Sequence, residues 1–238
     1  MVQEKPVNQV AKMGPDEIVK LYEPHLPCIL LIDTSASMGY NPHGGEPPIE
    51  MLNRALVKFK QSVSEDLGMY ARQCIDILII EFNDSSKRIG EWKPIEEMDT
   101  PTLTACGATN MNDALIMAVE ELREIRLWYN VNGVQTYRPW LVVITGGEPT
   151  SCIEEGIERV KEMADKGPRI IPVGAGPNCP MGLLRSLSNV GELAVVLSHY
   201  EFDMFFSWLH RCMRRMEIPH CYFDNVVELP SNLLLIHK

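Results

Sequence analysis

Unbroken apolar runs alternate along this chain with segments in which apolar residues recur every three or four positions. The first run, Cys28-Ile29-Leu30-Leu31-Ile32, predicts a central strand that is covered on both faces. Further strands are predicted at residues 75–82, 87–92, 140–145, 169–173 and 193–197. The strand at 87–92 is short, and we expect it at the edge of the sheet.

The segments between these runs predict helices with one buried face. Helical spacing is seen in Ile49, Leu52, Leu56, Phe59 and Val63, and again in Met111, Leu115, Ala118, Leu122 and Ile125. Two shorter patterns lie at 153–160 and 202–213. Because strands alternate with helices, we expect an α/β domain: a doubly wound, mostly parallel six-stranded sheet, with helices on both faces and one antiparallel edge strand.

The length of 238 residues suits one such domain with modest extensions. The expected organisation is an N-terminal arm at 1–25, the α/β domain at 26–215 and a C-terminal extension at 216–238. The arm is polar with several prolines, and residues 16–22 are suited to one or two helical turns. Residues 233–236 suggest an added strand or a packed arm.

The composition indicates which classes of partner and which cellular compartment suit this chain. Lys and Arg total 22 and Asp and Glu total 32, which gives a formal charge of −10 without a basic stripe. Nucleic acid and anionic membranes are therefore poor partners, and no apolar run approaches the roughly 20 residues of a membrane helix. Seven widely spaced cysteines and a polar start predict a reduced, cytoplasmic protein.

Oxygen-bearing side chains follow the first buried strand, in Asp33-Thr34-Ser35-Ala36-Ser37. Asp33, Ser35 and Ser37 occupy alternate positions, so they can point into one small space. A carboxylate and two hydroxyls form a hard ligand set suited to Mg²⁺, Mn²⁺ or Ca²⁺. Thr109 offers another hydroxyl just before the second long helix. The ordinary alternative is that Asp33 and the serines are turn residues and that Thr109 is a helix N-cap.

These motifs together resemble a von Willebrand factor A (VWA) domain with its metal-ion-dependent adhesion site, or MIDAS, over residues 26–215. The family motifs are D-x-S-x-S, a Thr before the second long helix and T-D-G after the central strand. Within the family, the chain is most similar to bacterial TerY-like proteins associated with tellurite resistance and stress response. The shared features are Leu30 to Met38, Pro48-Ile49-Glu50, Gly147-Glu148-Pro149-Thr150 and the aromatic final helix.

The resemblance implies that Asp33, Ser35, Ser37 and Thr109 hold a divalent cation, Mg²⁺ or else Mn²⁺ or Ca²⁺. This chain departs from the family motif at its fifth position, because Gly146 follows Thr145 where the family has Asp. Fewer anionic ligands mean weaker cation binding. The resemblance also implies a non-catalytic module that binds another protein, through a partner carboxylate, at the loops 33–47, 100–110 and 146–151.

Three other functions are alternatives to the interaction module. A hydrolase or phosphatase-like enzyme would use the Asp33 loop, but Ser35 stands where a second acid is needed, and His43 lies in a glycine-rich loop. Nucleotide binding at Gly174-Ala175-Gly176 lacks the third glycine of the dinucleotide motif. Zinc binding would use His210, Cys212, His220 and Cys221. Histidine and cysteine are zinc ligands, but this spacing fits no zinc finger.

Overall fold

The computed structural model describes residues 23–163, 167–177, 179–188, 194–217 and 234–235. Its strands are β1 (Leu26–Asp33), β2 (Ile75–Phe82), β3 (Ser86–Pro94), β4 (Trp140–Thr145), β5 (Arg169–Ala175), β6 (Val195–Leu197) and β7 (Leu234–Leu235). Its helices are α1 (Pro48–Asp66), α2 (Met69–Cys74), α3 (Met111–Val131), α4 (Glu154–Glu162), α5 (Met181–Leu187) and α6 (Phe202–Met213). Most of the predicted arm and C-terminal extension, including the helical turns expected at 16–22, lies outside the described residues.

The strands form one sheet in the order β3-β2-β1-β4-β5-β6-β7. Strands β2, β1, β4, β5 and β6 run parallel, and β3 pairs antiparallel with β2 at one edge. The predicted α/β sheet of six mostly parallel strands with an antiparallel edge strand is therefore confirmed. At the other edge Leu234–Leu235 add a short seventh strand, antiparallel to β6, within the segment suggested by the sequence.

Helices cover both faces of the sheet, and β1 contributes to both layers of the core. Leu30 and Ile32 belong to the apolar cluster formed with α1 and α6, whereas Ile29 and Leu31 belong to the cluster formed with α3, α4 and α5. All four side chains are fully buried. This two-sided burial explains why β1 is a continuous apolar run rather than an alternating one.

The arrangement of β1 and β4 determines where a site can form. From β1 the chain proceeds to β2 on one side, and β4 then pairs on the other side of β1. The strand order thus changes direction between β1 and β4, and ligands of open α/β sheets bind outside the carboxyl ends of the strands at such a point. We call the edge formed by the carboxyl ends of the parallel strands the top of the sheet. Asp33 and Thr145 end the two strands there.

Two further findings concern the helices and the cysteines. Within the described ranges, no helix is long and apolar enough to cross a membrane. The six cysteines in those ranges are all free thiols: Cys28, Cys74, Cys106, Cys152, Cys179 and Cys212.

Candidate functional site

Asp33 is fully buried at the end of β1, and its carboxylate links β1 to β4. Oδ1 accepts a hydrogen bond from the backbone N–H of Ser35 at 2.8 Å. Oδ2 accepts one from the hydroxyl of Thr145 at 2.9 Å and one from the backbone N–H of Gly146 at 3.1 Å. Burial raises the pKa of Asp33, while the hydrogen bonds from Ser35, Thr145 and Gly146 partly oppose this rise.

The two serines of the D-x-S-x-S motif present their hydroxyls as a pair. A short 3-10 turn over Ala36–Gly39 brings the Oγ atoms of Ser35 and Ser37 to 2.9 Å from each other. Neighbouring ligands of an octahedral cation with bonds of about 2.1 Å lie roughly 3 Å apart. Ser35 is buried and Ser37 is exposed. The hydroxyl pair therefore joins the buried carboxylate to the protein surface, at a spacing that two ligands of one cation would have.

Thr109 lies in the neighbouring loop, which hydrogen bonds connect to the loops after β1 and β4. Its backbone N–H donates to Oγ1 of Thr150 at 3.3 Å, and its carbonyl accepts from the N–H of Thr150 at 3.1 Å. The N–H of Ala36 donates to the carbonyl of Gly107 at 3.0 Å. Thr109 is buried. The structure thus brings the loops that carry all four predicted residues together at the top of the sheet.

The alternative role of Thr109 as a helix N-cap is not what the structure shows. The N-cap of α3 is Asn110, whose side-chain oxygen accepts a hydrogen bond from the backbone N–H of Asp113. Thr109 is therefore not needed to begin the helix. This leaves its hydroxyl available for another role.

Two residues that sequence reasoning missed, Asn83 and Asp84, hold this loop in place. Oδ1 of Asp84 accepts a hydrogen bond from the N–H of Ala108 at 2.9 Å, and the backbone carbonyl of Asn83 accepts one from the N–H of Asn110 at 2.8 Å. Gly107 has a φ of +72°, and a Cβ atom there would lie 2.2 Å from Oδ2 of Asp84. The sequence feature that could have identified these two residues is the polar stretch that directly follows the apolar strand β2.

Gly146, which replaces the family Asp, faces a filled space. A Cβ atom at this position would lie 2.7 Å from the sulfur of Met38, whose side chain is fully buried. Among the described residues, no group of three or more His, Cys, Asp or Glu side chains is arranged to hold a metal ion. Of the four residues that the sequence predicts as cation ligands, Asp33 alone carries a carboxylate and the other three offer hydroxyls, which are oxygen donors of the hard type.

The residues of the alternative functions have other contacts. The ring of His43 lies 5.8 Å from that of His199, between centroids, on exposed loops. Gly176 has a φ of +92°, and a Cβ there would meet the hydroxyl of Tyr200 at 2.6 Å, so this glycine serves a tight turn against Tyr200. His210 and Cys212 are buried in α6. His220 and Cys221, the other two residues of the zinc alternative, lie outside the described residues.

Comparison with solved structures shows which known fold this is. A von Willebrand factor type A protein from Catenulispora acidiphila superposes with a TM-score of 0.59 at 12% identity, covering 81% of this chain and 43% of that one. The fold is that of a VWA domain. The sequence itself matches no protein-family profile and no curated protein.

Two other solved structures are similar to this chain. The proximal thread matrix protein 1 of the mussel byssus has a TM-score of 0.56 at 13% identity, covering 81% of this chain and 48% of that one. The pilus adhesin SpaC of Lactobacillus rhamnosus GG has a TM-score of 0.62 at 11% identity, with coverage of 82% and 31%. One structure of the mussel protein has a zinc-occupied MIDAS motif. The chain spans about half, or less, of the length of these proteins.

Proposed function

We propose that this chain is a non-catalytic protein-interaction module whose partner binds the loops at the top of the sheet, residues 33–47, 100–110 and 146–151. The observation that carries the proposal is the pair of serine hydroxyls, 2.9 Å apart, beside the buried carboxylate of Asp33. Hydrogen bonds among the three loops make this surface one preorganised unit, which lowers the entropic cost of binding. Adhesins and matrix proteins among the structures of this fold support the same class of function.

A divalent cation, Mg²⁺ or else Mn²⁺ or Ca²⁺, belongs to this proposal, with Asp33, Ser35, Ser37 and Thr109 as the residues that would hold it. When bound, the cation would supply a positive centre that accepts a carboxylate oxygen from a partner protein. Asp33 provides a single negative charge, and Gly146 provides none. A partner carboxylate would therefore offset charge that the chain leaves uncompensated, which favours an acidic side chain as the contact.

The burial of Asp33 supports an interaction module over the alternative hydrolase or phosphatase-like enzyme. A nucleophilic carboxylate needs an accessible oxygen, but Asp33 is fully buried. Its Oδ2 already accepts hydrogen bonds from Thr145 and Gly146, which fill the two lone-pair positions of that oxygen. Of the two carboxylate oxygens of Asp33, Oδ1, which accepts the N–H of Ser35, would therefore be the one that holds a cation.

A finer assignment, to a cytoplasmic stress-response system of the TerY-like type, is also proposed. It rests on the resemblance of the D-x-S-x-S segment, the start of α1 and the Gly-Glu-Pro-Thr stretch. The departure at Gly146 makes the cation site of this chain degenerate relative to the family motif. Deletion of the gene, followed by growth on tellurite, would test this assignment independently of the site.

Calorimetric titration of the metal-free protein with Mg²⁺, Mn²⁺ and Ca²⁺ tests the cation site. Saturable binding by the native protein should be lost in Ser37→Ala and retained in Thr104→Ala, which removes an exposed hydroxyl from the same loop as Thr109. Equal binding by both variants would refute the site. Capture of a partner by the native protein but not by Ser37→Ala, and its release by EDTA, would support the metal-assisted mode. Capture that is insensitive to both would place recognition on the loops without metal.

A further inference from the structure

Two exposed histidines from different loops meet at the top of the sheet. His43 lies in the loop between β1 and α1, and His199 lies two residues beyond the end of β6. Their ring centroids are 5.8 Å apart, and the ring planes are inclined to each other by 53°. Because the two loops are far apart in the sequence, the fold alone brings these rings together.

The loop that carries His43 is held by a neighbouring asparagine. Oδ1 of Asn41 accepts a hydrogen bond from the backbone N–H of His43 at 3.0 Å, and Nδ2 of Asn41 donates to the carbonyl of Glu46 at 3.1 Å. The side chain of Glu46 pairs in turn with Arg54 of α1. These contacts fix the backbone that carries the imidazole of His43.

His199 lies in a turn whose backbone conformation is unusual. The next residue, Tyr200, has a φ of +61°, and it is the one non-glycine residue with positive φ in the described ranges. Tyr200 is buried, and the N–H of His199 donates to Oε2 of Glu201 at 3.0 Å. Residues with side chains rarely adopt such a backbone conformation, and the instances that occur are concentrated at functional sites.

The separation of the two rings is close to that of two histidines bound to one metal ion. Zinc binds a ring nitrogen at about 2.0–2.1 Å, and roughly 1.1 Å separates that nitrogen from the ring centre. At the tetrahedral angle, the centroids of two such rings lie about 5.2 Å apart. The observed 5.8 Å therefore requires only a small rotation of two exposed side chains.

Imidazole suits a different class of cation from the one predicted for the D-x-S-x-S motif. Histidine nitrogens suit zinc, copper and nickel ions, whereas oxygen ligands suit Mg²⁺, Mn²⁺ and Ca²⁺. Within the described parts of the chain, no third His, Cys, Asp or Glu completes a metal-binding group with this pair. Water would therefore fill the remaining positions around an ion held by the two rings.

We propose that His43 and His199 form a second cation site, which binds Zn²⁺ or a similar transition-metal ion. The ion cross-links the loop before α1 to the turn after β6. Because the His43 loop belongs to the proposed recognition surface, the bound ion fixes the shape of that surface on one side. The site itself does not rest on the proposed function, since its ligands are nitrogens that take no part in the motif of Asp33 and the serines.

Calorimetric titration of the metal-free full chain with Zn²⁺, after alkylation of its accessible thiols, tests this site. The native protein should bind one more Zn²⁺ per chain than either His43→Gln or His199→Gln. Glu148→Gln, which removes an exposed carboxylate from a neighbouring loop, should bind as the native protein does. Ser37→Ala should keep this Zn²⁺ while it loses Mg²⁺, so the failure of one site can be told from the failure of the other.

A second measurement reports on the two rings directly. In NMR spectra of the native protein, Zn²⁺ should shift the ring resonances of His43 and His199. It should also raise the melting temperature of the native protein more than that of either histidine variant, since an ion that binds only the folded state stabilises it. Equal Zn²⁺ stoichiometry in the native protein and both histidine variants would overturn the proposal. Loss of all Zn²⁺ binding in Ser37→Ala would also overturn it, because the ion would then lie at the D-x-S-x-S motif.

Discussion

Replacing Gly146 with Asp tests whether the departure from the family motif is what weakens the cation site. The new Cβ would lie 2.7 Å from the sulfur of Met38, which must retreat by about 0.7 Å to reach ordinary contact distance. Overpacking of this kind costs about 1–3 kcal/mol of unfolding free energy. A thioether at the end of a flexible side chain can make this movement without unfolding the domain.

The gain is expected in cation affinity. A second carboxylate close to the site should tighten Mg²⁺ binding by about 10–100-fold, as supporting ligands of metal sites do. This equals about 1.4–2.7 kcal/mol. Saturating Mg²⁺ should therefore recover most of the stability that the steric contact removes, because a ligand that binds only the folded state stabilises it.

Gly146→Asn is the matched control, since it makes the same contact with Met38 but adds no charge. Urea denaturation without metal should show a larger loss for Asp than for Asn, because the carboxylates at positions 33 and 146 repel each other when no cation lies between them. Calorimetric titration with Mg²⁺ should show a gain for Asp alone. Equal Mg²⁺ affinity in the two folded variants would refute the reasoning, because the loop after β4 would then not face the cation.

Three further predictions concern single contacts. Asp33→Asn should cost about 1–3 kcal/mol, because its amide would face the donors of Thr145 and Gly146; urea denaturation measures this. Gly107→Ala should destabilise by clearly more than Gly133→Ala, since both glycines have positive φ but only Gly107 faces Asp84. Burial raises the pKa of Cys28 from 9.0 to about 12. Because the unfolded chain loses this proton first, the free energy of unfolding is unaffected by the thiol below pH 9 and falls by about 1.4 kcal/mol per pH unit from pH 9 to pH 12. Denaturation at pH 8–11 should show this fall in the native protein, and Cys28→Ala should remove it.

The sheet could be predicted because strands buried on both faces must be apolar throughout. β1, β2, β4 and β5 each stand out from the sequence for this reason. Helices α2 (Met69–Cys74) and α5 (Met181–Leu187) could not be predicted, because they are too short to show a helical period. Length therefore limited the prediction of elements more than composition did.

The candidate site could be located from the sequence, but its internal contacts could not. Asp33, Ser35 and Ser37 follow a predicted strand at alternate positions, so their clustering is a local property. The hydrogen bond from Thr145 to Asp33 joins residues 112 positions apart, and the contact of Met38 with position 146 also depends on how β1 and β4 pair. Such contacts follow from strand order, which single-residue patterns do not specify.

The short strand β7 has a consequence for the behaviour of the protein at high concentration. An open edge of a sheet offers backbone donors and acceptors on which strands of other molecules can assemble into aggregates. Leu234–Leu235 occupy that position beside β6. At the opposite edge, β3 carries the charged residues Lys87, Arg88, Glu91 and Lys93, and charged side chains on an edge strand disfavour its pairing with another molecule. Removal of Leu234–Leu235 would therefore expose the backbone of β6 at this edge and favour aggregation.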